Sequence, residues 1–464
     1  MIQYKQLASE VMSDIDTGKI SPGHKLQSVR DFSRQHQVSM TTALNCYHLL
    51  IERGYAHSRP RSGYFAQKPM LDIARVPLAD FVPVTSRGAK YHFAVSQHPL
   101  ATAQLSQALL PQAELAKSAS RVFKTPRLHQ LHYGAVTGHE SLRRALAGHY
   151  SEQGFKFTSD EIIIGHGCLD SVRMALQVTT QPEDTVVVAS PCFPGLLSIL
   201  KSLNRKILEI PSSNQGIDLL RLESIVKEGR ASALLLTANF QNPLGHQFNN
   251  EHKAAIAELA NRYHFPVIED DVYQELCFSG GLPLPIKHWD KGGYVLWCSS
   301  FSKTLCASYR IGWCLPGRFH RAMEDKRRIE SLGVNMPLQL VLADFIASGN
   351  YRKHIKKLQV CVSQQIREYR HFLYTQLGAN AAFSQPEGGM VLWCHYPGLD
   401  SFELAKKLTE YDVIIRPGGL FSTRDFYSEY FRLNCGWPLD EKRKQEMELL
   451  CQLLTQQKQN ETNV

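Results

Sequence analysis

Long apolar runs are missing from this chain. Nowhere do 18 apolar residues follow one another, so no membrane-spanning helix is expected. Met1 is not followed by a basic and then apolar leader, so export is not expected either. The 11 cysteines never form a Cys-x-x-Cys pair and keep no regular spacing, which argues against a disulfide scaffold, a zinc ribbon or a dithiol redox motif. An odd number of thiols, mostly flanked by apolar residues, reads as a reduced cytoplasmic protein, and no metal site is expected. Charge is sparse as well: 20% charged against 43% hydrophobic residues describes a globular protein rather than a disordered one. The net charge of +9 permits a nucleic-acid partner without demanding one. A length of 464 residues exceeds one ordinary core and predicts two or three domains.

The excess positive charge gathers at the front, where nine Lys or Arg residues face five Asp or Glu through Lys68. Tyr4, Leu7, Val11 and Ile15 recur at helical spacing, and Gly18 with Ser21-Pro22-Gly23 stops that helix. Ser28 opens a short second helix that turns Val29 and Phe32 inward and Arg30 and Arg34 outward. Ser39 is a good N-cap for a third, with Ala43, Tyr47, Leu50 and Ile51 on one face, closed by Gly54. Two short strand-like runs between Tyr55 and Phe65 then flank Arg59-Pro60-Arg61-Ser62-Gly63, a hairpin with a basic tip.

Three helices and a basic hairpin make a winged helix-turn-helix. The details resemble the GntR group of bacterial transcription factors over residues 2–66: Gly18-x-Ile-x-Pro22-Gly23, Lys25-Leu26-Gln27-Ser28-Val29-Arg30, Val38-Ser39-x-Thr41-Thr42, and the Ser62-Gly63-Tyr64-Phe65 wing. The resemblance implies that the third helix, opening at Ser39, Thr41 and Thr42, enters the major groove, while Arg30, Arg59 and Arg61 hold phosphates. Gln27 stands where the group usually has proline, and Met40 where an arginine is common. The bland alternative is a small interaction module with a solvated basic loop. Residues 69–90 lack either period and read as a linker.

From residue 91 to about 457 strand-like runs alternate with longer amphipathic stretches, the pattern of an α/β domain with a mainly parallel sheet. Residues 458–464 read as a polar tail. Candidate strands are 162–164, 186–189, 233–236, 266–268 and 294–297, and ligands gather beyond the carboxyl ends of such strands. After the first comes Gly165-His166-Gly167-Cys168, a turn entering a helix, whose free N–H groups suit a phosphate. After the second, Phe193 between two prolines can stack on a flat ring or simply serve the core. Asn242-Pro243 follows the third, with the asparagine expected to be extended. Glu269-Asp270-Asp271-Val272-Tyr273 follows the fourth; Glu269 and Asp271 are expected to be solvated or structural, and Asp270 to enter the crevice. The fifth leads into Ser299-Ser300-Phe301-Ser302-Lys303, with Arg310 seven residues on. A lysine among cationic and apolar neighbours loses its proton readily and becomes a nucleophile.

Taken in order, these stretches resemble the fold-type I aminotransferases, which use pyridoxal 5'-phosphate (PLP) and fold into large and small subdomains. The resemblance implies that Lys303 carries the cofactor covalently and that Asp270 faces its pyridine nitrogen. Asn242 and Tyr273 would donate to its phenolate oxygen, and Phe193 would stack on the ring. Gly167, Cys168, Ser300 and Arg310 would cradle the phosphate, with Cys168 a small departure. Tyr133, in Tyr133-x-x-x-x-Gly138, would reach the cofactor of a second subunit, implying a homodimer. Arg432, in Phe431-Arg432-Leu433-Asn434, would clamp a substrate carboxylate. A GntR-type head joined to such a body is the organisation of the MocR subfamily of regulators. That resemblance implies a promoter-binding regulator controlled by PLP or by its adduct with a small amino compound. An active aminotransferase carrying a DNA-binding head is the alternative, because every cofactor residue is in place.

Overall fold

A computed structural model of the protein describes residues 3–16, 19–21, 23–53, 55–59, 63–67, 98–124, 133–424 and 426–462. The linker expected at 69–90, the helix stops Gly18 and Gly54, and the wing residue Arg61 lie outside the described residues. The chain divides into two compact units, one of described residues up to 67 together with 382–385, the other of the remainder.

In the first unit α1 (Gln3–Asp16), α2 (Val29–Gln35) and α3 (Met40–Glu52) precede an antiparallel hairpin of β1 (Ala56–Arg59) and β2 (Gly63–Ala66). Ser28 accepts from the Asp31 N–H and Ser39 from the Thr42 N–H, at 3.1 and 3.0 Å, so each helix starts on the cap that the sequence offers. The core joins Ala8, Ile15, Phe32, Ala43, Tyr47 and Leu50 with Ala56 and Ala66 of the hairpin. Tyr47 fixes the turn before α2 by donating its hydroxyl to the Gln27 carbonyl at 2.8 Å. Arg30, Ser39 and Thr41 stay exposed and Thr42 is half-buried, while Arg59 ends β1.

The second unit starts with α4 (Gln112–Lys124), α5 (Glu140–Ser151), β3 (Ile163–Gly165), α6 (Cys168–Thr179), β4 (Thr185–Ser190), α7 (Pro194–Ser202), β5 (Lys206–Ser213) and β6 (Gly216–Ile217). It continues through α8 (Leu219–Lys227), β7 (Ala233–Leu236), α9 (Asn250–Tyr263), β8 (Val267–Asp270), β9 (Val295–Ser300), β10 (Gly312–Leu315), α10 (His320–Glu330), α11 (Met336–Ala347) and α12 (Asn350–Leu377). After β11 (Ala382–Phe383), which falls in the 382–385 stretch counted with the first unit, the second unit ends with β12 (Val391–His395), α13 (Ser401–Thr409), β13 (Arg416–Pro417), β14 (Tyr430–Asn434) and α14 (Glu441–Thr462). Since α14 runs to Thr462, residues 458–462 continue a helix where a separate tail was expected.

The large sheet has the order β3-β10-β9-β8-β7-β4-β5-β6. The pairs from β9 through β5 are parallel, and β10 is antiparallel to both β9 and β3. Helices cover both faces because the strands are apolar on both. In β4, Val186 and Val188 face one cluster with Val172, Leu200 and Met323, while Val187 and Ala189 face another with Leu222, Ile225 and Ile256. A third cluster holds Leu142, Leu146, Trp297, Trp313 and Phe345. A smaller sheet pairs β12 with β14 and β14 with β13, all antiparallel. Among the described residues no helix is long and apolar enough to cross a membrane.

Candidate functional site

The shared direction of β3, β4, β7, β8 and β9 carries five short segments to one edge of the sheet. Lys303 ends a single 3-10 turn, Phe301–Lys303, directly after β9. The buried Ser300 caps that turn by accepting from the Ser302 N–H at 3.3 Å. The Lys303 ammonium donates to the Ala103 carbonyl at 2.6 Å and lies 5.8 Å from the centre of the Tyr273 ring. Burial, followed by repulsion from Arg432, brings its pKa down to about 8, with Asp270 opposing and Arg310 adding to the fall.

Asp270 closes β8 and is 5% exposed. Burial raises its pKa; a hydrogen bond from the Cys168 thiol, at 3.2 Å, is the first of the effects that restrain the rise. Thus Cys168, the departure in the expected phosphate cradle, aims its side chain at the carboxylate. Asn242 donates to the Tyr273 hydroxyl at 3.4 Å and accepts from Arg432 Nη1 at 3.3 Å, so one amide ties these three residues together. The peptide between Asn242 and Pro243 is cis.

Gly167 precedes α6 with φ at +93° and provides no side-chain cap, which leaves first-turn N–H groups of the helix without the usual partner. A Cβ on Gly167 would come within 2.6 Å of Arg310 Nη2. Arg310 is held there by the His166 carbonyl at 3.1 Å and by Ser302 Oγ at 3.3 Å. A helix start, a glycine and a fixed guanidinium make a set of donors suited to a phosphate group. Phe193, half-buried, caps α7 and packs against the cluster that includes Cys168 and Cys192.

Arg432 is 3% exposed, and burial brings its pKa down to about 10. Its hydrogen bonds go to neutral acceptors, Asn242 and the Ala101 carbonyl, and its Nε has no partner among the described residues. A buried guanidinium without an anion is the feature that a ligand carboxylate would complete. Tyr133 is not among the residues brought together here; it is 90% exposed.

Sequence reasoning missed two parts of this site. The first is the segment 98–106, which had no periodic signal: Pro99 and Gln104 carbonyls accept from Asn434 Nδ2, Leu100 from the Asn434 N–H, and Ala101 and Ala103 from Arg432 and Lys303. The second lies under Asp270. Asp271 accepts from Asn239 at 3.0 Å and Trp297 at 2.8 Å, and Lys253 donates to Asn239 at 2.6 Å. Glu269 accepts from the Ile286 and Lys287 N–H groups at 2.9 and 3.2 Å. Glu269 and Asp271 are both 0% exposed, which decides for a structural part and against solvation.

Fold and crevice together define a class I and II aminotransferase-type protein. The profile of the family "Aminotransferase class I and II" matches residues 98–446. A solved kynurenine aminotransferase of Pyrococcus horikoshii, in complex with PMP, is 25% identical with a TM-score of 0.72, covering 80% of this chain and 96% of its own. Two curated relatives match along nearly the whole length. The uncharacterised HTH-type transcriptional regulator YdcR of Escherichia coli (strain K12) is 34% identical over 98% of this chain and 99% of its own. YjiR of the same organism, described in the same words, is 32% identical over 95% and 96%. The chain belongs to the MocR-type regulators, a helix-turn-helix head joined to an aminotransferase class I and II body.

Proposed function

We propose that this chain is a DNA-binding transcriptional regulator whose large unit holds PLP at Lys303 and reads a small amino compound there. The observation that carries the reading is one crevice containing a deprotonation-prone lysine, a buried carboxylate and an anion cradle. PLP, when bound, supplies an aldehyde for the lysine amine and an electron-withdrawing ring. Lys303 contributes a nucleophilic amine near neutral pH. Asp270 offers a negative charge to a ring nitrogen, and the hydrogen bond from the Cys168 thiol favours the charged form against the effect of burial. Asn242 and Tyr273 orient a ring oxygen, and Phe193 supports the ring. Gly167, Cys168, Ser300 and Arg310 hold the phosphate, and Arg432 takes a ligand carboxylate.

The working unit is a cytoplasmic homodimer, with Tyr133 reaching the cofactor site of the partner copy; its 90% exposure in the single chain supports this. Residues 1–68 form the DNA-binding domain, 69–90 the linker and 91–457 the cofactor domain. Arg30, Arg59 and Arg61 contact promoter phosphates, with Ser39, Thr41 and Thr42 at the groove. PLP or the amino compound acts by binding two arrangements of the dimer unequally. The test is reduction of the PLP-loaded chain with borohydride followed by peptide mapping. A pyridoxyl label on Lys303, absent from Lys303→Ala, supports the reading, and a label elsewhere or none overturns it.

The completeness of the crevice, Arg432 included, also favours some transamination. Sustained keto-acid release over many turnovers would make the chain an enzyme as well as a regulator.

A further inference from the structure

Asp170 stands where an anion cradle should tolerate it least. It is the acidic residue in the first turn of α6, the helix whose start forms the cradle. A carboxylate there suits an empty helix start, but it repels a second anion brought to the same end. Its hydrogen bonds show what offsets that repulsion. Oδ2 accepts from the His166 N–H at 3.0 Å and from Arg327 Nη2 at 2.7 Å, while Oδ1 accepts from Arg173 Nη2 at 3.2 Å.

Arg327 lies on α10, whose Met323 shares a core cluster with Val172 and Met174 of α6. Its side chain is 1% exposed, so it offers no surface to a ligand directly. Gly165 makes room for it, since a Cβ there would come within 2.8 Å of Nη2. A buried guanidinium needs an anion, and Asp170 is its one carboxylate partner among the described residues. Arg173 also serves Glu330, at 2.7 Å, so its charge is divided. Burial raises the Asp170 pKa, but the charge and hydrogen bond of Arg327, helped by His166 and Arg173, bring it below the ordinary value. The pair also fixes backbone. His166 is gripped on both sides, its N–H by Asp170 and its carbonyl by Arg310 Nη2 at 3.1 Å, and Gly167 follows it.

We propose that Arg327 is a positioning residue for the cofactor phosphate, acting through Asp170 on the backbone and the net charge of the cradle. This rests on the reading of the crevice as a PLP site. Without that arginine an uncompensated carboxylate would face the incoming phosphate, so the penalty falls on the phosphate and spares the ring.

The experiment compares PLP with pyridoxal, which lacks the phosphate, by spectral titration of the cofactor-free full chain. Arg327→Gln should weaken PLP about tenfold or more, the scale of one uncompensated charge nearby, and pyridoxal less than about twofold. Adding Asp170→Asn to Arg327→Gln keeps an acceptor for the His166 N–H without the stray charge, and should restore PLP affinity to within about threefold of wild type. A loss shared equally by PLP and pyridoxal means that Arg327 serves the fold alone, and it overturns the proposal. So does a double variant no better than Arg327→Gln, or PLP affinity in Arg327→Gln within about twofold of wild type. If Arg327→Gln does not fold, Asp170→Asn decides. It leaves the positive charge of Arg327 unopposed and should raise the ratio of PLP to pyridoxal affinity about threefold or more; a ratio unchanged or lowered overturns the proposal. A wild-type chain that binds neither compound sinks the cofactor reading itself. A wild type that binds PLP, followed by any of the overturning results, removes only the part given to Arg327.

Discussion

Lys303 shows how a common residue acquires uncommon chemistry. Its amine is drawn down to about pH 8 because the charged form loses water and faces the cation of Arg432. The direction has a kinetic consequence, since only the neutral amine attacks an aldehyde. Uptake of PLP by the cofactor-free chain should accelerate roughly fivefold from pH 7 to pH 8 and level off above about pH 9. An exposed lysine would instead gain roughly tenfold per pH unit until close to its ordinary pKa. A stopped-flow pH series distinguishes the two, and a rate still climbing tenfold between pH 9 and 10 contradicts the burial argument. Cys168 makes a similar point: its thiol serves Asp270, so its proposed phosphate contact falls to the backbone N–H at the start of α6.

Elements set these positions, and two of their ends invite tests. Gly167 starts α6 at a backbone angle that side-chain residues rarely adopt, with Arg310 where a Cβ would go. Gly167→Ala should therefore weaken PLP binding about tenfold or more, the scale of such backbone strain, as read by spectral titration; affinity within twofold of wild type would refute the cradle. At the other end of the chain, Ser39→Ala removes the cap of α3, a loss of about 1 kcal/mol. Amide hydrogen exchange across residues 40–52 of the full protein should quicken about fivefold, with the strands of the large sheet unaffected. The caps of α2 and α3 and the strand 233–236 were legible because their signals are local: a hydroxyl three residues from an N–H, an unbroken apolar run. Other features are non-local. Expected strands 266–268 and 294–297 actually extend to Asp270 and Ser300, since Glu269 and Asp271 find buried partners and Ser299 and Ser300 pair with Trp313 and Gly312. The strand β5 escaped notice because Lys206 and Glu209 interrupt its apolar residues. Nothing in residues 98–106 announces that their carbonyls will meet side chains some 200 to 335 positions away.

At the scale of the whole molecule the head binds DNA, and the function proposed above gives the body a small molecule to read. Affinity for the chain's own upstream DNA should fall linearly on a plot of log affinity against log salt. Arg30→Ala should lower that slope by about one, since one phosphate contact releases about one counterion. An unchanged slope removes Arg30 from the interface. The strip 98–106 bears on how the body responds to an occupant. A guest that engages Lys303 and Arg432 together strips the Ala103 and Ala101 carbonyls of their hydrogen-bond donors, so that length of backbone must find new partners or shift. Thermodynamic reciprocity then requires that any pull applied to the strip from its amino-terminal side register as a change in how tightly the guest is held.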